Sequence, residues 1–153
     1  MMLHINLQVV TDAPNLPNSN TLQKWAVAAM QGDEELSLVV RIVNEEESEA
    51  LNSSYRNKHK PTNVLSFPFE APAGIEEPHL GDLVICAPVL EKEAREQKKP
   101  LETHWAHIIV HGVLHLQGLD HQNDAEAEEM ESLERQILAH LGYPDPYATT
   151  EPS

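Results

Sequence analysis

Cysteine is nearly absent from this chain of 153 residues: Cys86 stands alone. One thiol excludes an internal disulfide and suits a reducing cytosol. It lies in the apolar run Leu83–Ala87 and reads as a small buried hydrophobe. Positive charge is also scarce. Ten Lys and Arg face 25 Asp and Glu, and the formal net charge of −15 argues against a protein that simply coats nucleic acid. Long apolar runs are missing, so no membrane span is expected, and the first residues show no basic-then-apolar signal pattern. Internal repeats and long linkers are missing as well. The expectation is one domain over residues 1–153, long enough to bury roughly two-thirds of its surface, with residues 145–153 a frayed tail.

What is present is unevenly placed. Asp124 to Glu134 holds six acidic residues and no base, whereas Arg56, Lys58, His59 and Lys60 form one basic group and Lys92, Arg95, Lys98 and Lys99 another. An anionic partner fits those two patches only. Apolar residues alternate from Leu3 to Val9, and β-branched residues crowd Leu36–Val43, Val64–Phe67 and Leu80–Ala87, which predicts four strands. Helices are predicted from an Asn20 cap to Met30, from an Asn44 cap to Tyr55, from Pro88 to Lys99, from Glu102 to Leu116 and from Asp124 to His140. Met130, Leu133, Ile137, Leu138 and Leu141 form the buried stripe of the last, and Gly142 with Pro144 stops it. Glu70 to Pro78 reads as a surface loop. The fold class is α+β: a small four-stranded mixed sheet covered mainly on one face by about five helices.

The chemistry concentrates in His111-Gly112-Val113-Leu114-His115-Leu116-Gln117-Gly118-Leu119-Asp120-His121. Two histidines four apart share one helix face, a glycine offers the helix an exit, and a third histidine follows on the returning chain. Three imidazoles make a half-closed tetrahedral metal site with one position left for water or substrate. The spacing resembles the long zincin signature, H-E-x-x-H-x-x-G-x-x-H, but Gly112 stands where the proteases have their general base. His104, His107, His111 and His115 share one stripe, at steps of three, four and four. Periodicity alone does not separate a His107/His111 pair from His111/His115. The latter is preferred because Gly118 and His121 complete it, leaving His107 in the core or behind the ligands.

Neutral imidazoles leave a metal charge uncompensated, which suits activation of water or polarisation of a phosphodiester or amide. Zinc fits such a set best, though nickel or copper would also bind. Asp120, just before the third ligand, is either a turn residue at the helix exit or a partner of that ligand or a proton acceptor. Arg56 has the planar fork that clamps phosphate, but composition alone makes it an ordinary surface arginine. His4, His79 and His140 belong to no constellation.

These residues resemble the signature of the YbeY endoribonucleases, bacterial rRNA maturation factors. The histidine motif, Tyr55-Arg56, Lys60–Phe69, Gly81–Cys86 and Gly142-Tyr143 agree in order, over nearly the whole chain. The resemblance implies a cytoplasmic, metal-dependent, single-strand-specific endoribonuclease of small-subunit rRNA 3′-end maturation and ribosome quality control. It implies His111, His115 and His121 as metal ligands, with His115 and Arg56 functionally important. Small-subunit ribosomal proteins and an assembly GTPase are the implied partners. Two other readings compete. A metalloprotease is supported by ligand spacing and opposed by Gly112. A non-catalytic, zinc-stabilised ribosome assembly factor would suit the acidic surface.

Overall fold

A computed structural model describes residues 3–32, 35–69, 79–119 and 123–147. The chain runs β1 (Leu3–Val10), α1 (Ser19–Ala29), β2 (Leu36–Val43), α2 (Glu45–Arg56), β3 (Val64–Pro68), β4 (His79–Cys86), α3 (Ala87–Glu96), α4 (Leu101–Leu116) and α5 (Asp124–Leu141). The sheet order is β1-β2-β4-β3, with β1, β2 and β4 parallel and β3 antiparallel to β4. This is the expected mixed sheet of an α+β fold. Its central strands β2 and β4 are the most buried, because each is flanked by a strand on either side. Leu38, Val40 and Ile42 of β2 and Leu83 and Ile85 of β4 are fully buried.

The larger core lies between the sheet and α1 and α4 and takes in Trp25, Trp105 and Ile109. A smaller one, on Val43, Leu65, Val84 and Cys86, is closed by Leu51 of α2 and by Phe67 and Val89. Cys86 is therefore the buried hydrophobe its neighbours suggested. Among the described residues no helix is long and apolar enough to cross a membrane.

Differences from the sequence reading fall at element ends. Asn18, not Asn20, caps α1, accepting from Thr21 N–H at 2.8 Å. Asn44 precedes α2 but makes no side-chain cap; its Oδ1 accepts from the Thr11 hydroxyl instead. Strand β4 stops at Cys86, and Ala87 already begins α3, whose first turn holds Pro88. Helix α3 ends at Glu96, three residues early, because Lys98 turns left-handed and the Lys99 N–H returns to the Ala94 carbonyl at 3.0 Å. Asp145 and Tyr147, expected to fray, instead fold back onto α5: Asp145 pairs with Arg135 at 3.2 Å and Tyr147 bonds Glu134. The predicted loop Glu70–Pro78 lies outside the described residues.

Candidate functional site

Helix α4 is apolar almost all round. From His104 onward its only positions that are not buried are His107, His111 and His115, a single stripe at steps of four. The helix ends where Gly118 takes φ +97°: its N–H bonds the His115 carbonyl at 3.0 Å, and the Leu119 N–H bonds Leu114 at 3.2 Å. That exit is the one the glycine predicted. His111 and His115 stand with ring centroids 6.4 Å apart. Both line an open cleft of about 730 Å³, whose other wall is Tyr55, Arg56 and Thr62–Phe67.

Behind His111 sits a carboxylate that the sequence reading left among the acids of α5. Glu134 is wholly buried. Its Oε1 lies 2.7 Å from His111 Nδ1 and its Oε2 2.8 Å from His107 Nε2, and Oε2 also accepts from the Tyr147 hydroxyl. Burial alone would raise the Glu134 pKa, but the hydrogen bonds from His107, His111 and Tyr147 outweigh it and lower the value to about 2. A carboxylate so held is an acceptor only. The nitrogen of each neutral imidazole that faces it must therefore carry the proton. For His111 this makes Nε2 the lone-pair nitrogen. Burial pushes the His107 pKa down and that of Tyr147 up, against and with the pull of Glu134 respectively. The signal was present in the sequence: Glu134 lies four residues from both Met130 and Leu138, on the buried stripe.

The structure thus separates the two histidine pairs. His111 and His115 reach the cleft, whereas His107 spends Nε2 on Glu134 and is absent from the cleft lining. His104 is buried against Glu93 at 2.9 Å. Burial raises the Glu93 pKa, but hydrogen bonds from His104 and Asn63 bring it below the ordinary value. Gly112 faces the sheet rather than the cleft. A Cβ there would stand 2.8 Å from Leu83 Cδ2, in the larger core. A side chain at that position must displace the end of Leu83 and point into the core, so a glutamate there would not reach the cleft as the protease base does.

The opposite wall is fastened from beneath. Arg56 closes the last turn of α2, and Asn57 leaves the helix left-handed at φ +55°. The following loop is tied to two buried polar side chains of α2. Ser48 Oγ donates to the Thr62 carbonyl at 2.9 Å and accepts from its N–H at 3.0 Å, and Asn52 Nδ2 donates to the Lys60 carbonyl at 2.8 Å. Arg56, Lys58, His59 and Lys60 are all exposed.

A metal fits the donors that this geometry presents. Two imidazoles one helical turn apart, one backed by a carboxylate, is the way histidine ligands are usually held. Among the described residues no group of three or more His, Cys, Asp or Glu is assembled to hold a metal. The third expected ligand, His121, and its neighbour Asp120 lie outside the described residues.

The architecture has solved counterparts. A solution structure of TM1509 from Thermotoga maritima is similar to this chain with a TM-score of 0.55 and 25% identity, covering 97% of this chain and 100% of that one. The protein is thus an α+β protein of that architecture. Residues 10–142 match the profile of the endoribonuclease YbeY family. The chain belongs to the YbeY endoribonuclease family.

Proposed function

We propose that the protein is a metal-dependent endoribonuclease that cuts single-stranded RNA during small-subunit rRNA 3′-end maturation and ribosome quality control. The observation that carries this reading is the cleft itself, about 730 Å³, with two imidazoles on one wall and a guanidinium on the other. His111 and His115, with His121, would hold the ion, and zinc suits the donor set. When bound, such an ion supplies Lewis-acid charge beside the scissile phosphate. The chain's own residues prepare the rest. Glu134 keeps the His111 ring in one tautomer and one orientation. Arg56 grips a phosphoryl group through its fork and offsets the charge that grows there in the transition state. The nucleophile, in this reading, is a neighbouring 2′-hydroxyl or a water. Replacing the ribose at the cut site by its 2′-deoxy form decides between them, since unchanged cleavage rules out the hydroxyl. We further read residues 1–153 as one domain working in the cytoplasm with small-subunit ribosomal proteins and an assembly GTPase.

The test measures metal content and single-stranded RNA cleavage side by side in wild type, His115→Ala and Arg56→Ala. Metal should be lost only from His115→Ala, and cleavage should fall about 100-fold or more in both. Full cleavage by Arg56→Ala would sink the phosphate clamp. A His115→Ala protein that loses metal and melts early, from a wild type with no nuclease activity, would favour an assembly factor with a structural metal.

A further inference from the structure

The most exposed large apolar side chain among the described residues is Tyr55, 68% accessible and set on the rim of the cleft beside Arg56. A single exposed aromatic is ordinary on a protein surface, but this one lines the cleft next to a guanidinium, where its ring is open to a ligand. The ring is supported. It meets Phe67 edge to face, with centroids 5.1 Å apart and planes at 69°. Phe67 in turn packs on the core of Val43, Leu65, Val84 and Cys86. Tyr55 is therefore an exposed ring braced on one side by a side chain that itself packs on the core.

Its surroundings select the ligand. The chain as a whole carries −15, which repels a polyanion, yet Arg56, Lys58 and Lys60 follow Tyr55 directly and are exposed. An anionic strand is thus admitted at this wall and opposed over most of the rest. The cleft offers the strand a cation for its backbone and, one residue earlier, an aromatic face. We propose that Tyr55, backed by Phe67, is a stacking platform for one unpaired nucleobase adjacent to the phosphate held by Arg56. The inference rests on the ribonuclease reading above and adds a binding subsite to it. Stacking uses the face of a base and not its edge, so the platform accepts any base. It rejects a base inside a duplex, whose faces are already covered by its neighbours. Tyr55 then contributes to the choice of unpaired RNA, while the sequence cut is set elsewhere.

The experiment compares wild type, Tyr55→Ala, Tyr55→Phe and Tyr55→Trp on a short single-stranded oligoribonucleotide of mixed sequence. A matched set carries one abasic position stepped along the strand. Tyr55→Ala should raise KM roughly 10- to 100-fold with kcat little changed, and Tyr55→Phe and Tyr55→Trp should restore it. One abasic position should weaken wild type by a similar factor and leave Tyr55→Ala unaffected. Trp25 and Trp105 are buried and out of a bound strand's reach, so the emission that Tyr55→Trp adds over wild type reports the platform, and it should be quenched by the full oligonucleotide and not by the strand abasic at that step. Wild-type KM in Tyr55→Ala overturns the proposal. So does a loss that is the same for full and abasic strands, which would mean that Tyr55 only braces the wall. A wild type that neither binds nor cuts RNA removes the ribonuclease reading and the platform with it, and that outcome is visible before any Tyr55 variant is made.

Discussion

The two walls of the cleft are built on opposite plans. On the α4 wall, each imidazole that reaches the cleft emerges from an otherwise buried helix, and the carboxylate behind His111 is wholly buried. On the α2–β3 wall, Arg56 and Tyr55 are exposed, Tyr55 leans on Phe67 by one ring contact, and the loop that follows is fastened at Lys60 and Thr62 by Asn52 and Ser48. The difference follows from what each wall is proposed to touch. Metal coordination tolerates little error in position, so its donors need a dense, satisfied surrounding. A phosphate and a base arrive from solvent on a flexible strand, so their partners must be reachable. Substitutions on the first wall should therefore cost stability as well as function, and those on the second should cost function alone.

The largest expected effect lies at Gly112. Gly112→Glu restores the protease-like spacing, yet it drives a carboxylate into Leu83, where burial without a partner costs several kcal/mol. That is a large part of the roughly 5–15 kcal/mol that holds a domain together. The variant should fail to give soluble folded protein. Gly112→Ala, gaining helix propensity but crowding Leu83, should melt only a few degrees lower. Circular dichroism and a peptidase assay decide the matter: a Gly112→Glu protein with wild-type melting and new peptide cleavage would mean that this position faces the cleft after all.

Glu134 comes next, and it shows where reading the sequence stops. The strands, the helix carrying the histidines and its exit at Gly118 follow from periodicity and caps, because those signals are local. The meeting of Arg56 with His111 and His115 is not local: it depends on β3 reversing against β4 and on α4 crossing the sheet. Only the family resemblance had implied it. Glu134 was hidden differently. Six acids in eleven residues look like a solvated face, and the one that turns inward is marked only by its spacing from Met130 and Leu138. Tyr147, beyond the helix stop, carries no local mark at all. Gly112 could be seen as a missing base, but its reason, Leu83, belongs to a strand distant in sequence.

Replacing Glu134 by Gln keeps the shape but leaves one acceptor oxygen for three donors. Metal affinity should fall about 10- to 100-fold, read by competition with a chelating dye. Stability should drop by about 2–3 kcal/mol, or roughly 4–12 °C in melting temperature. The pH dependence gives a separate check. The folded carboxyl is lowered from its ordinary 4.5 to about 2, so its contribution is complete above pH 4.5 and drains away as pH falls towards 2. The gap in melting temperature between wild type and Glu134→Gln should narrow across that window. A constant gap would mean that the carboxylate's charge plays no part in holding the wall.

Beneath the second wall, Asn52→Ala removes the donor to the Lys60 carbonyl from a buried site. The cost should be about 1–2 kcal/mol, with faster proteolytic cutting between residues 57 and 63. Unchanged cutting would show that the loop is held by its own turns and not by α2.

The smallest effect on stability is expected where the effect on function is clear. Arg56 is exposed, so Arg56→Lys and Arg56→Ala should both melt within about 2 °C of wild type. Lysine keeps the charge but loses the two parallel donors of the guanidinium. If the proposed clamp works through its fork, Arg56→Lys should cut single-stranded RNA about 10-fold slower than wild type and still faster than Arg56→Ala. Equal rates for Lys and Arg would reduce the residue to a point charge, and the second wall would then depend on Tyr55 for its geometry. A fall in melting temperature of several degrees in either variant would break the contrast between the walls, since it would show Arg56 holding the fold as Glu134 does.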